Sequence, residues 1–500
     1  MRTSKILLAA GLATVSAVTL AACTGGSTPT PVNTDATVNL GLVLAPTDLD
    51  IRTTAGAALN QALLDNVYQG LVTLDDSGKI VRDIAKSYTI SPDGLTYDFT
   101  LNSGVTFSDG HALTADDVVS SLQDATKNKT TYVDASGLAD VASVTAPDVG
   151  TVEVKLDKPN IETLWALAGR AGIVLEKGAT NDLKTTALGT GPYTVAGFQA
   201  NTSLTLDRND NYWGTKAQVK EIVFHYYADT ATAANAALSG DLQALLPVDP
   251  TQKAKFAGAQ NLAIVQGDST DKWTLGFNNT DPTLSKKDVR TAIREAIDPK
   301  AIIAAVGGAG LPLGGPIPTG DPGYQDLTSV DAYNAADAKA KFAAAGVTRL
   351  TLTIPTPYGT TISDILTSEL NAVGVKLTVK QVDFNTWLSQ VFIAGNYQLS
   401  IVDHVESHDF GTLWTNPKYY FHYDNAQVQS RYHQALASTT EGDEAKYLSQ
   451  AAAIVSNDAA AEWLYQGVVL NVVSTSLKGL PVNNTNNRLN LANISVLGGQ

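Results

Sequence analysis

Leu350-Thr351-Leu352-Thr353-Ile354, an apolar-spaced run over 363–373, and Val375-Lys376-Leu377-Thr378-Val379-Lys380-Gln381-Val382 read as strand, helix, strand. The outer pieces alternate with period two, and the middle repeats its apolar residues at helical spacing. A crossover of that length carries parallel strands, which places the chain in the α/β class. Downstream, Tyr397-Gln398-Leu399-Ser400-Ile401 alternates cleanly and predicts another strand. It delivers the stretch Val402-Asp403-His404-Val405-Glu406-Ser407-His408-Asp409-Phe410-Gly411-Thr412-Leu413-Trp414. Two of the six histidines fall there, beside three acids and a tryptophan. That stretch is the first candidate for the functional site.

Upstream, Thr37–Leu44 predicts a strand and 57–71 a helix. A hairpin turns at Ser91-Pro92-Asp93-Gly94 into the alternating strand 95–101. Thr114 caps a helix, with Asp117 as its capping-box partner. Further strands are predicted at 152–156, 193–198, 203–208, 221–227 and 468–473. Helices are predicted at 230–239, 287–297, 335–345, 427–436 and 443–457.

Five hundred residues exceed one hydrophobic core, so two or three lobes are expected. The net charge is −15, and −17 once Arg2 and Lys5 are removed with a leader. So acidic a surface repels phosphate backbones, and nucleic acid is not an expected partner. Met1–Lys5 is short and basic, Ile6–Leu20 is apolar, and Leu20-Ala21-Ala22-Cys23 ends the run. This is a secretory signal pattern, too short for a stable membrane span. Cys23 is the only cysteine, so an internal disulfide is excluded. Residues 24–36, rich in Thr, Pro, Gly and Ser, form a tether. Gly189-Thr190-Gly191 lacks the Lys-Ser/Thr of a phosphate loop and is expected to be a tight turn set by Pro192. There is no Gly-x-Ser-x-Gly elbow, so an enzyme is not expected, and no cofactor is expected.

Leu-Ala-Ala-Cys resembles a bacterial lipobox, which implies cleavage before Cys23 and lipid on that residue. A series of blocks resembles the peptide/nickel class, family 5, of ABC-transporter solute-binding proteins. They are Val67-Tyr68-Gln69-Gly70-Leu71-Val72, Asp83-Ile84-Ala85, Ser91-Pro92-Asp93-Gly94-Leu95-Thr96-Tyr97, Val105-Thr106-Phe107-Ser108-Asp109-Gly110, Leu113-Thr114-Ala115-Asp116-Asp117-Val118, Gly189-Thr190-Gly191-Pro192-Tyr193, Arg208-Asn209-Asp210-Asn211-Tyr212-Trp213, Phe277-Asn278-Asn279 and Val289–Asp298. The resemblance implies a periplasmic-binding-protein-like fold: two clamshell lobes with mixed sheets plus an extra third lobe. Its division would be 1–22 signal peptide, 23–36 lipidated tether, and 37–57 with 186–273 and 469–500 as lobe I. The extra lobe would span 58–185 and lobe III 274–468. It implies capture of short peptides between lobes and delivery to an ABC permease and ATPase, by a monomer anchored through Cys23 outside the cytoplasm. A metal chelate or another small cationic solute is the alternative cargo, and a sensing lipoprotein without transport the alternative role.

Within that frame Ala45-Pro46-Thr47 and Trp387 match segments lining the relatives' pocket, and His404, Glu406, His408, Asp409 and Trp414 surround the cargo's charged end. Asp403-His404 stands where relatives carry Gly-Trp. Counted without a gap, the anchoring acid falls on Ser407, so Glu406 or Asp409 would serve. A metal held by His404 and His408 together is the competing reading. In an extended chain those residues stand roughly 13 Å apart, too far for one ion unless the chain turns.

Overall fold

The computed structural model describes residues 31–54, 56–484 and 487–498, so the leader and Cys23 lie outside it. The strand–helix–strand reading at 350–382 holds. Arg349–Pro355 and Lys376–Val382 pair in parallel, and the helix Thr361–Ala372 crosses between them. These strands start a mixed sheet whose order continues through Leu399–His404, Leu262–Phe277, Ala461–Ser474, Ala244–Leu245, Thr37–Leu42, Glu221–Tyr226, Ser203–Arg208 and Tyr193–Gln199. The protein is a clamshell of two such sheet halves with a third lobe.

The two long central strands join the halves. Leu262–Phe277 and Ala461–Ser474 run antiparallel through both. At one end they pack with Val38, Leu40, Leu206, Ile222, Phe224, Leu491 and Ile494. At the other they join Ile293, Leu352, Ile354, Leu366, Leu370 and Ile401 around Leu275 and Phe277. Between the cores the ladder breaks: Asp268 faces Val468, and the next pair is Lys272 with Gln466. Ser269-Thr270-Asp271 thus oppose Gly467 alone, a bulge that bends the strand at the waist.

The third lobe is built on a separate antiparallel sheet in the order Ala85–Ile90, Thr96–Leu101, Thr151–Leu156, Val141–Asp148. Its core buries Tyr97, Phe99, Val152 and Val154 against Val118 and Leu122 of the helix Ala115–Lys127. That helix starts at Thr114 with the expected capping box, Asp117 accepting the Thr114 N–H at 2.8 Å.

One predicted helix is much shorter than its apolar spacing suggests. The run 57–71 is helical only over Ala58–Leu63, because Asp65 takes a left-handed backbone with φ 65°. Its buried carboxylate pairs with Arg488 at 2.9 Å and accepts the Thr73 hydroxyl at 2.6 Å. That distant partner, 423 residues away, overrides local helix preference.

The Gly189-Thr190-Gly191 turn owes its glycines to close backbone approach. A Cβ on Gly189 would strike the Val67 carbonyl, and one on Gly191 the Asn66 carbonyl. The Gly191 N–H donates to Val67 O and the Tyr193 N–H to Asn66 O, both at 2.9 Å. Gly191→Ala should therefore lower unfolding stability by about 1–3 kcal/mol, the range for overpacking a tight site. Urea denaturation checks this, and an unchanged midpoint would refute the close-approach argument.

Candidate functional site

Register brings two of the expected site segments to the waist. The strand Thr37–Leu42 pairs in parallel with Ala244–Leu245, which opposes Val472 and Val473, which in turn oppose Ile264 and Ala263. It therefore runs in the direction of Leu262–Phe277 and carries Ala45-Pro46-Thr47 toward the bulge. Leu399–His404 runs the opposite way, with His404 beside Lys272, and carries Val405 and Glu406 to the same level. Pro46 is buried, Thr47 exposed, and Leu44 before them is 52% exposed. Leu399–His404 pairs with Arg349–Pro355 only at Leu399 and Ser400. Beyond those residues the strand has no partner strand on that side among the described residues, and the Asp403 N–H reaches the Tyr358 hydroxyl at 3.4 Å.

The side chains of the quoted stretch divide between the two faces of the sheet, as period two requires. Asp403 shares a face with Trp273, its register partner. Trp273 stacks on Tyr465 at 5.7 Å and meets the edge of Tyr358 at 5.0 Å. The Asp403 Oδ1 is buried without a hydrogen-bond partner. Burial first, then Asp271, push its carboxyl up to about 8 against the opposing pull of Lys272, and Glu406 adds to the rise. Asp271 is raised as well, mainly by burial. The Glu406 side chain is exposed. Two buried carboxyl groups, Asp403 and Asp271, and the exposed Glu406 thus share one end of the strand, and a cation there would relieve the burial of the first two and the repulsion among them.

Asp409 is engaged elsewhere. It forms an ion pair at 3.2 Å with Lys272, whose ammonium also donates to Glu406 O at 2.7 Å and Thr270 O at 3.0 Å. Burial lifts the Asp409 carboxyl to about 7, with Lys272 pulling it back. His404 lies on the opposite face from Asp403. Its Nε2 is 3.2 Å from the Tyr420 hydroxyl, and burial, aided by Lys272, lowers it to about 3. His408 follows a turn with a left-handed backbone, φ 57°, and stacks on Trp165 of the third lobe at 3.7 Å. Its Nδ1 lies 2.7 Å from Glu162. The two imidazoles therefore have separate surroundings.

Trp387 is buried and donates to the Ser400 hydroxyl at 2.9 Å, beneath the exposed rings of Phe384 and Phe392. Trp414 packs in the core between Phe421 and Trp463. Sequence reasoning passed over Asp271, Lys272 and Asp403. Lys272 carried little signal, since it follows the polar run Asp268-Ser269-Thr270-Asp271 and its same-face neighbours are Thr270 and Thr274. Asp403 lay inside the quoted stretch but was set aside for acids farther along.

The chain's residues 79–426 match the model of the bacterial extracellular solute-binding proteins, family 5. It belongs to that family. A Brucella ovis protein named for ABC-transporter peptide binding is 31% identical over 346 residues, 66% of this chain and 65% of its own length. The match thus spans just under two thirds of that relative. The Escherichia coli protein DdpA, named for D,D-dipeptide binding in the periplasm, is 27% identical over 83% of this chain and 86% of its own. The solved structure of HbpA2 from Haemophilus parasuis superposes with a TM-score of 0.84 at 21% identity, covering 92% of this chain and all of that one. At that identity the likeness speaks for the fold.

Two outcomes follow from the buried charges. Lys272→Met leaves Asp409 unpaired and should cost about 3–5 kcal/mol, largely restored in the double variant with Asp409→Asn. Denaturation of the three proteins tests this, and equal losses in both variants would deny the coupling. Asp403 is protonated up to about 8 in the fold but only below about 4 unfolded. The folded state therefore binds more protons between those values, and stability falls as pH rises through that window. Asp403→Asn should flatten the decline by up to about 5 kcal/mol across the window; an unchanged pH profile would show that Asp403 is ionised at no cost.

Proposed function

We propose that the protein is an extracytoplasmic solute-binding lipoprotein of an ABC importer, with short peptides carrying a free ammonium as cargo. The observation that carries this reading is the unpartnered Asp403 carboxyl beside Asp271 and Glu406, at the open edge of Leu399–His404. An extended peptide can add to that edge through its main chain while its ammonium meets the carboxylates, and aromatic rings enclose the adjoining side chain. Glu406 and Asp403 act together as the charge anchor, and Asp409 shapes the loop through Lys272. Ala45-Pro46-Thr47 would face the cargo from the other side of the cleft.

The lobes would divide at 37–57 with 186–273 and 469–500, at 58–185, and at 274–468. The bulge at 269–271 would serve as hinge. Closure there excludes water from the carboxylates and strengthens their hold on a cation. A monomer anchored by lipid on Cys23 would pass cargo to a membrane permease powered by an ATPase. The protein itself would perform no chemistry.

Short-peptide pools should raise the melting temperature by preferential binding to the closed form. Asp403→Asn and Glu406→Gln should each weaken free-ammonium peptides at least tenfold in calorimetric titration, yet leave N-acetylated peptides within about twofold. Each tenfold loss corresponds to about 1.4 kcal/mol. No thermal shift with any pool would remove the peptide reading, and equal weakening of acetylated peptides would move the anchor elsewhere.

A further inference from the structure

His408 does not point at the open strand edge but into the seam between the third lobe and the lobe that carries the loop. There Glu162, at the start of the helix Glu162–Ala168, and Glu444, in the first turn of Glu441–Asn457, approach it from two further elements. One donor atom from each of the three side chains lies within 4.8 Å of the others. The groups are withdrawn from water: the side chains of His408 and Glu162 are 7% and 18% exposed, and Glu444 is 4% exposed. Trp165 stacks on the imidazole at 3.7 Å and fixes its plane. A cavity of about 10 Å³, lined by Glu162, Asp321, His408 and Asp409 among others, adjoins the cluster. That volume holds one particle of about the size of water.

The charges at this seam do not balance. Two carboxylates face one imidazole, and Asp321 stands behind them, accepting the His408 main-chain N–H at 3.0 Å and the Ser407 hydroxyl. Even a fully protonated His408 leaves the group negative. Protons can offset this only by neutralising an acid. Burial and then Glu162 hold the Glu444 carboxyl up at about 9, which is the metal-free remedy. A dication supplies the missing charge without that proton, and one imidazole nitrogen with carboxylate oxygens is a donor set suited to zinc and its first-row neighbours. Hard, oxygen-preferring magnesium or calcium has little use for the nitrogen.

We propose that Glu162, His408 and Glu444 form a binding site for one divalent transition-metal ion, of the zinc class, that fastens the third lobe to the cargo loop. The site is independent of the identity of the cargo. Its consequence reaches the cleft because Ser407 and Asp409 flank His408: a metal on His408 holds the loop that also carries Glu406.

The test uses the full chain after dialysis against chelator, titrated with zinc chloride by calorimetry and followed by thermal melting. One equivalent should bind and raise the melting temperature by several degrees, while magnesium at the same concentration should leave it unmoved. His408→Gln and Glu444→Gln should each weaken zinc binding at least a hundredfold. His111→Gln and His433→Gln, which alter exposed histidines, should retain it. Glu444→Gln replaces a carboxyl that is protonated in the metal-free protein with a neutral side chain of the same shape, so its metal-free form should melt close to the wild type, which separates loss of the site from loss of the fold. Absence of zinc binding to the wild type would overturn the proposal. So would unchanged binding in the His408 and Glu444 variants, or an equal response to magnesium.

Discussion

A single buried ammonium, that of Lys272, ties the waist of this protein to its candidate cargo loop. Stripping that charge of water is unfavourable by several kcal/mol, and only close partners compensate for it. Two backbone carbonyls and the Asp409 carboxylate do so, one of the carbonyls belonging to Glu406. The bulged segment 269–271 and the loop 405–409 are therefore held by one group. A change of strand angle at the bulge must move the loop or break the ammonium's contacts. The bulge is also where the ladder between the long strands is interrupted, and a bulge bends the strand that carries it.

The same ammonium explains how acids are apportioned. Asp409 is neutralised by it and serves structure. Asp271 and Asp403 feel its pull but are not paired with it, and burial and their neighbouring acids still hold both carboxyls above the usual range. An acid with no internal partner is unfavourable in a buried site, and proteins keep such groups where a ligand supplies the partner. The third lobe adds a separate constraint. Glu162 and Trp165 grip His408, so the loop is bounded on one side by the bulged segment 269–271 and on the other by a lobe with its own core.

Much of the fold was legible because periodicity reports which side of an element is buried. The unit 350–382, the strand at 397–401 and the capped helix after Thr114 all emerged from local pattern. The longest strand, Leu262–Phe277, did not. Its middle, Gln266-Gly267-Asp268-Ser269-Thr270-Asp271, is polar because it passes between two cores, and there alternation has no single buried face to record. The helix over 57–71 was overdrawn for the converse reason: Arg488 takes the Asp65 carboxylate from the far end of the chain. At the site, charge and aromatic density located the right stretch. They could not tell which acid was already occupied, since Lys272 and Asp409 are 137 residues apart in sequence and meet only through strand register.

The sequence by itself determined an α/β chain of several lobes, an acidic surface and the family to which it belongs, because composition, periodicity and ordered motifs are local quantities summed along the chain. Only the tertiary structure decided that His404 is a neutral group against Tyr420, that His408 belongs to the seam with the third lobe, and that the Asp403 Oδ1 is buried without a hydrogen-bond partner. Those assignments depend on burial and on charges brought within a few ångströms. Folding sets both by pairing residues far apart along the chain.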